Sequence, residues 1–399
     1  MSNKSPNSKK FSPFPQDWKV VKISDLLENR ILISHLDGNH GGEYPRSDEF
    51  VSNGIPYISA NSILSGYVDF SKCKFLSPKR ADKIRKGIAK NGDVLFAHNA
   101  TVGPVALLET DEPRVILSTT LTYFRCDEKV LHNYYLKAFL ETDFFKRQYE
   151  RIMAQSTRNQ VPITTQRKFN IAFPPLPEQR KIAKILSTWD EAIAKTEQLI
   201  EALRKRKKGL MQRLLTGQVR FPGFEDEWKH KKLEEILELN YGRSPKKIQE
   251  TEGNYAIFGT GGIIGKSNNY LCDQQSLIIG RKGSIDQPQL ALEPFWATDT
   301  TFYGTPDYQI DLFFLYYLLS FKGLSQYNEG STLPSLSRTT LNSLIFLIPE
   351  FNEQQKISSI LIESDKAIDY LHQIESNYKI QKKALMQRLL TGQVRVKVE

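Results

Sequence analysis

The sequence predicts a mixed α/β (α+β) fold: two globular units separated by two long helices, packed as an antiparallel coiled coil with pseudo-two-fold symmetry. Three observations carry this reading. The run KKGLMQRLLTGQVR at 207–220 returns as KKALMQRLLTGQVR at 382–395, differing only where Gly209 faces Ala384. The same offset of 175 residues, from Met211 to Met386, also aligns PEQRKIAKIL from Pro177 with NEQQKISSIL from Asn352. The segments outside these copies alternate short β-like runs with turns rich in Gly, Asn and Pro.

In chain order, the plan is a tail at 1–13, a globular unit at 14–176, a long helix at 177–220, a second unit at 221–351, and a second long helix with its tail at 352–399. The two units open alike, FPQDWKVVKISDLLE from Phe14 and FEDEWKHKKLEEILE from Phe224, with Trp18 and Trp228 anchoring the match. The first unit has β-like runs at 94–97 and 116–124 and an aromatic-rich helix at 134–149. The second has a β-like run at 276–279 and an aromatic-rich helix at 312–321. SLIIGRKGSIDQPQLAL from Ser276 can be laid on DVLFAHNATVGPVALL from Asp93, and STLPSLSRTTLNSLIFLIP from Ser331 on STRNQVPITTQRKFNIAFP from Ser156. Framework is shared while the polar residues differ.

Each long helix declares itself by spacing. Positions 182, 186, 189, 193, 196, 200, 203, 207, 210 and 214 step by four and three alternately, and eight of the ten are apolar. The set shifted by 175 runs Ile357, Leu361, Ser364, Ile368, Leu371, Glu375, Tyr378, Lys382, Leu385 and Leu389, seven of them apolar. Prolines precede each copy (Pro174, Pro175 and Pro177; Pro349), and Thr-Gly at 216–217 and 391–392 supplies the glycine expected at a helix end. About forty residues at 1.5 Å each make roughly 60 Å of helix, longer than a domain needs for internal packing.

With 399 residues, 40% hydrophobic and 25% charged, the chain is long enough for two or three soluble domains. It begins MSNKSPNSKKFSPFPQDW, without the apolar run of a signal peptide, and no stretch approaches the roughly 18 apolar residues of a membrane span. A cytoplasmic protein with no membrane partner is expected. Cys73, Cys126 and Cys272 are scattered without metal-ligand or redox spacing and read as structural thiols. Fifty-five Lys and Arg against 45 Asp and Glu leave a formal charge of +10, which fits a polyanionic partner without requiring one.

Two copies of one helical surface imply a partner met twice. Two similar frameworks with different loops imply two unlike targets read with one geometry. For a basic chain, both conditions are met by duplex DNA carrying two half-sites at a spacing set by the helices. On PPLPEQRKIAKIL with LMQRLLTG, their second copy, the paired tryptophan openings, and IIGRKGS followed by PFWATDTTFY, the chain resembles the specificity subunits of Type I restriction-modification systems over about residues 14–395.

The resemblance implies two target-recognition domains reading the halves of an asymmetric bipartite double-stranded DNA site, and helices that dock two copies of a modification methyltransferase subunit. Restriction and translocase subunits join through the complex. It also implies a non-catalytic chain that binds no cofactor, since S-adenosylmethionine, ATP and Mg belong to the partner subunits. Two alternatives stand beside this reading: a coiled-coil adaptor or scaffold that never meets DNA, and a nuclease or fused modification enzyme with an unfamiliar site.

Motifs that suggest catalysis fail on their residues. Phe173-Pro-Pro-Leu176 lacks the Asn or Asp that must hydrogen-bond the target amine of an amino-methyltransferase, and no glycine-rich first strand accompanies it. GTGGIIGKS from Gly259 is nearly a phosphate-binding loop, but Thr260 stands where its first glycine belongs and NNYL after it begins no strong helix. It reads better as a turn-rich recognition loop. Six scattered histidines form no metal cluster.

Phosphate contacts need cations or amides on loops, and base contacts need paired donors such as Arg to guanine or Asn and Gln to adenine. In the first unit the candidates are Lys79, Arg80, Lys83, Arg85 and Lys86, then His98 and Asn99, then Arg158, Asn159 and Gln160. In the second they are Arg243, Lys246, Lys247, Lys266, Arg281, Lys282 and Arg338. Each competes with a plain solvated charge. Arg281-Lys282-Gly283 leads, because it follows an apolar strand and adjoins a glycine that permits close backbone approach. The basic run at 204–208 lies on a helix and suits solvation, phosphate attraction or partner docking, while Trp189 is expected in the helical seam.

Overall fold

The computed structural model describes residues 14–38, 44–154 and 159–398. They fall into two compact units, residues 1–195 with 375–399, and residues 196–374. Each unit therefore contains one sheet-rich body, the start of the helix that follows it and the end of the other long helix.

In the first unit, strand Lys19–Lys22 pairs antiparallel with Asn170–Phe173. A four-stranded antiparallel sheet runs in the order Thr101–Leu107, Val94–Asn99, Leu121–Cys126, Leu32–Asp37. A five-stranded sheet follows the order Phe50–Val51, Lys74–Leu76, Ile55–Ile58, Val115–Leu117, Ile88–Ala89, with Ile55–Ile58 and Val115–Leu117 parallel. The period of two along Val94–Asn99 explains the layering: Val94 and Phe96 enter the core shared with the helices, Leu95 and Ala97 the core shared with the second sheet. A strand buried on both faces reads as one apolar run, and this one does.

The second unit repeats the plan with fewer strands. Lys229–Lys232 pairs with Ile345–Ile348, and a four-stranded sheet runs Leu237–Tyr241, Thr301–Pro306, Ser276–Gly280, Gln289–Ala291. A three-stranded sheet runs Gly262–Ser267, Tyr255–Gly259, Phe295–Ala297, its last pair parallel. Leu277 and Ile279 enter the helix-side core, and Ile278 the other.

Two details depart from the sequence expectation. The helix expected at 134–149 is two, Asn133–Leu140 and Asp143–Met153, because the Thr142 hydroxyl accepts from the Phe145 amide at 3.3 Å and starts a new helix. The apolar run at 116–124 is likewise two strands, Val115–Leu117 and Leu121–Cys126, divided by a turn in which the Ser118 and Thr120 hydroxyls meet at 2.6 Å.

The long helices span Leu176–Leu214 and Phe351–Leu389, 39 residues each and 175 apart at both ends. No residue of either predicted seam is exposed. Trp189 packs edge-on against Tyr378 with centroids 5.6 Å apart, so it is a seam residue. The early turns of each helix meet the late turns of the other, so the two run antiparallel. Past each helix, Gly217 (φ +70°) and Gly392 (φ +72°) turn the chain left-handed, and a tryptophan closes over each: Trp228 over Gly217, Trp18 over Gly392.

Polar contacts recur at the same offset. Arg220 donates Nε to Glu353 Oε1 at 3.0 Å and Nη2 to Oε2 at 2.8 Å; Arg395 binds Glu178 by the same two bonds, both at 2.7 Å. Lys207 reaches Asp365, and Lys382 reaches Asp190. A tyrosine from each body, Tyr317 or Tyr134, donates its hydroxyl to that aspartate. The first unit adds Lys137, buried, with its ammonium 3.3 Å from Asp190. Burial works against the charge on Asp190, but Lys137 and Lys382 more than offset it and hold the carboxyl below the usual range.

Candidate nucleic-acid interface

Each body ends in a turn pinned by a distant loop. In the second unit the strand Ser276–Gly280 runs into Arg281-Lys282-Gly283, where Gly283 N donates to Pro334 O at 2.8 Å, Leu336 N donates to Arg281 O at 2.9 Å, and Lys282 bridges Ser335. In the first unit Ala100 N donates to Asn159 O at 3.0 Å, Val161 N donates to His98 O at 2.8 Å, and Asn99 bridges Gln160. The two sequence alignments thus predict the same three contacts in both units. Gly283 and its counterpart Ala100 both have positive φ, +93° and +64°, a conformation that suits glycine and strains alanine.

The side chains on this common frame differ. Arg281 lies over the Tyr241 ring, its guanidinium 5.3 Å from the centroid, and donates Nη1 to Asp299 O at 3.3 Å. Lys282 is exposed. Beside them Arg243 is exposed, its carbonyl accepting from Trp296 Nε1 at 2.8 Å, and Lys246 and Lys247 follow in an exposed loop. Tyr241 was not among the sequence candidates, although its place in YGRSPKK beside Arg243 is the signal that marks it. A guanidinium stacked on an exposed ring, with one Nη1 bond made to Asp299 O, has further edge donors to offer a phosphate or a guanine edge.

His98, aligned with Arg281, requires a correction. Its side chain is 1% exposed and its Nδ1 lies 3.2 Å from Val161 O, so it is a core residue and not a DNA contact. The cause is strand alternation: position 98 falls on the inward face at the end of Val94–Asn99. Asn99 and Gln160 are half-buried and Asn159 exposed, while Arg158 lies outside the described residues.

Lys79, Lys83, Arg85 and Lys86 are exposed on and after the short helix Pro78–Ala81. Arg80 turns back instead: its Nε lies 2.6 Å from Glu49 Oε1 and its side chain is 12% exposed, so it braces the loop. Lys266 is exposed on its strand, and Arg338 is half-buried at the start of the helix Arg338–Asn342. Arg281, Lys282 and Arg243 are thus neighbours in the second unit, and the exposed cations of the first lie along residues 79–86.

The motifs that suggested catalysis are structural. GTGGIIGKS forms the turn and second strand of an antiparallel hairpin, Tyr255–Gly259 with Gly262–Ser267, so no helix N-terminus faces its glycines. Pro174 and Pro175 offer their carbonyls to the first turn of the long helix: Gln179 Nε2 donates to Pro174 O at 2.8 Å, and the Glu178 and Gln179 amides to Pro175 O. Among the described residues, no group of three or more His, Cys, Asp or Glu is placed to hold a metal ion, and no helix is long and apolar enough to cross a membrane.

A family model for the Type I restriction modification DNA specificity domain matches residues 15–205 and 225–380. The chain belongs to the Type I restriction-modification DNA specificity family. Two curated relatives from Methanocaldococcus jannaschii are similar over nearly their whole length. The putative type I restriction enzyme MjaX specificity subunit is 28% identical, across 96% of this chain and 95% of its own, and the MjaVIII specificity subunit is 25% identical, across 96% and 94%. The crystal structure of a Type-I restriction-modification S subunit from M. genitalium has the same fold, with a TM-score of 0.62 at 18% identity, covering 98% of this chain and 99% of that one. The adaptor alternative finds no support among these relatives. The two matched segments of the Type I specificity family in this chain are its two sheet-rich bodies, each extending into the long helix that follows it.

Proposed function

We propose that this chain reads a bipartite DNA site, each sheet-rich body recognising one half, while the helices set the spacer and dock two modification methyltransferase subunits. The observation that carries this is the pair of pinned turns: identical backbone contacts at residues 98–100 and 281–283, but a buried His98 in one and a stacked Arg281 in the other. One frame holding unlike side chains is what reading two unlike half-sites requires. The twin Arg–Glu and Lys–Asp contacts, by contrast, repeat residue for residue within the chain, so the framework that carries each copy of the helical surface is built twice, which suits docking of two copies of one partner.

On this reading the chain is a non-catalytic recognition subunit. Adenine methylation with S-adenosylmethionine, and ATP- and Mg-dependent cleavage and translocation, are carried by the modification and restriction subunits. Arg281, Arg243 and Lys282 supply direct and phosphate contacts in the second body; Lys79, Lys83, Arg85, Lys86, Asn99 and Asn159 supply them in the first.

The test is to sequence methylated positions in DNA from cells carrying this chain with its modification subunit. An interrupted, asymmetric motif is expected. Exchanging residues 221–350 for those of a relative should then alter one half of the motif only, and inserting residues into the first long helix should lengthen the unspecified spacer. A continuous motif, or an exchange that alters both halves, overturns the proposal.

A further inference from the structure

The second body carries an apolar edge that its counterpart covers. Lys74–Leu76 in the first unit pairs on one side with Ile55–Ile58 and on the other with Phe50–Val51. Gly262–Ser267 holds the corresponding place beside Tyr255–Gly259, and no described strand pairs with its outer side; one isolated bridge joins Lys266 to Glu250. The register slips between Ile257, opposite Gly265, and Phe258, opposite Ile263. Ile264 is therefore the bulged residue, and two consecutive isoleucines stand in solvent, Ile263 62% and Ile264 54% exposed.

An uncovered edge strand is ordinarily blunted by charge or proline, because bare apolar edges pair with other chains. Here the charges sit around the isoleucines instead of replacing them. The hairpin tip is held by the strand Gln289–Ala291, Gln289 Nε2 donating to Gly259 O at 2.8 Å and to Thr260 O at 3.3 Å, and it lies near the basic turn, where a methyl group at Gly283 would lie 3.5 Å from Thr260 Oγ1. Lys282 is exposed on that turn, Lys266 is exposed toward the base of the hairpin opposite Ala256, and Leu333, next to the Pro334 that accepts from Gly283, is 54% exposed. An apolar edge with a lysine toward each end complements one surface above others, a polyanion whose grooves present apolar groups.

We propose that the hairpin formed by Tyr255–Gly259 and Gly262–Ser267 enters the major groove of duplex DNA and buries Ile263 and Ile264 against base edges. This rests on the DNA-reading function proposed above and assigns one of its sequence-selecting elements. A two-stranded ribbon fits the major groove, and the thymine methyl is the apolar group that a side chain meets there. Lys266 and Lys282 hold the phosphates on either side, so charge supplies affinity for any duplex and the isoleucines supply preference for one.

The test uses the full chain assembled with its modification subunit. The probes are a labelled duplex bearing the motif recovered by methylation sequencing and a duplex with that motif scrambled. Replacing both isoleucines, I263S with I264S, should weaken binding to the motif duplex about tenfold or more. Binding to the scrambled duplex, and the slope of log affinity against log salt, should not change. Restoring bulk with I263L and I264L should recover most of the loss. Unchanged motif affinity, or an equal loss on both duplexes, overturns the inference while leaving the DNA-reading function standing; a wild-type complex that does not distinguish the duplexes overturns that function itself.

Discussion

Arg395 grips Glu178 across 217 positions of sequence, Nε to Oε1 and Nη2 to Oε2 at 2.7 Å each, and its Nη1 and Nη2 also donate to Asp17 at 3.0 and 2.7 Å. The tail beyond the last helix thereby returns to the opening of the first body and to the first turn of the first helix. Glu178 and its counterpart Glu353 are both buried, and each carboxylate is met by an arginine fork, Glu353 also accepting from Trp228 Nε1 at 3.1 Å.

Removing that arginine should loosen the first unit. Arg395→Met keeps the apolar stem but leaves Glu178 buried without its fork. The arginine is partly exposed, which moderates the effect, and a fall of roughly 3–6 °C in the first calorimetric transition is expected. Arg220→Met should act in the same sense on the other transition. Unchanged melting for both variants would show that the forks contribute nothing to closure.

Gln179 and Gln354 carry a second repeated device. Gln179 Nε2 donates to Val130 O at 3.0 Å and Pro174 O at 2.8 Å while its Oε1 accepts from His132 N at 2.9 Å. Gln354 Nε2 donates to Gln309 O at 3.1 Å and Pro349 O at 3.0 Å, and its Oε1 accepts from Asp311 N at 2.9 Å. Each amide ties three backbone groups of its body to the start of a helix. Leucine fills the volume and satisfies none of them, so Gln179→Leu or Gln354→Leu should cost about 2–4 kcal/mol in denaturant unfolding. A cost below about 0.5 kcal/mol would mean that water replaces the amide.

These residues show where the sequence was legible. The seams, the helix ends at Gly217 and Gly392 and the equivalence of residues 98–100 with 281–283 follow from periodicity and repeat, because apolar spacing and backbone turns are local properties. The buried pairs were present too, as Glu178/Glu353, Gln179/Gln354, Asp190/Asp365 and Arg220/Arg395 are identities at the 175-residue offset. What spacing alone does not give is that the arginines, glutamates and aspartates of one copy pair with the other copy, while Gln179 and Gln354 each turn to their own body. His98 was misread because a strand's inward face at its last residues depends on which sheet lies behind it, a tertiary fact. Tyr241 was missed because an aromatic becomes a platform only when Arg281 arrives from another strand.

Burial makes His35 a source of acid sensitivity. Desolvation lowers its pKa to about 3, against a hydrogen bond to Gln166 Oε1 at 3.1 Å that works the other way. The ring stacks on Phe124 at 4.2 Å. Since the folded value lies below the 6.5 of a free imidazole, the unfolded chain takes up the proton first. The stability held by the neutral ring is present above about pH 6.5 and is lost toward pH 3, at up to about 1.4 kcal/mol per pH unit. His35→Phe keeps the stack and removes the titration, so its stability should fall less steeply than wild type across that window. Parallel curves would assign the acid sensitivity elsewhere.

The pinned turns give the sharpest contrast, because His98 and Arg281 occupy one backbone position in two bodies. His98→Ala opens the core and removes the bond to Val161 O, so the first unit should lose about 1–3 kcal/mol of stability while duplex affinity measured well below its melting temperature stays near wild type. Arg281→Ala removes a half-buried arginine whose guanidinium stacks on Tyr241 and should leave melting nearly unchanged, while discrimination in one half of the motif falls by about 1–3 kcal/mol. Lys282→Ala should weaken motif and scrambled duplexes alike and reduce the salt slope by about 0.9, the signature of one lost phosphate contact. If His98→Ala proved to relax recognition and Arg281→Ala did not, the assignment of the two turns would be reversed, and burial would have to yield to a rearrangement of the first body on DNA.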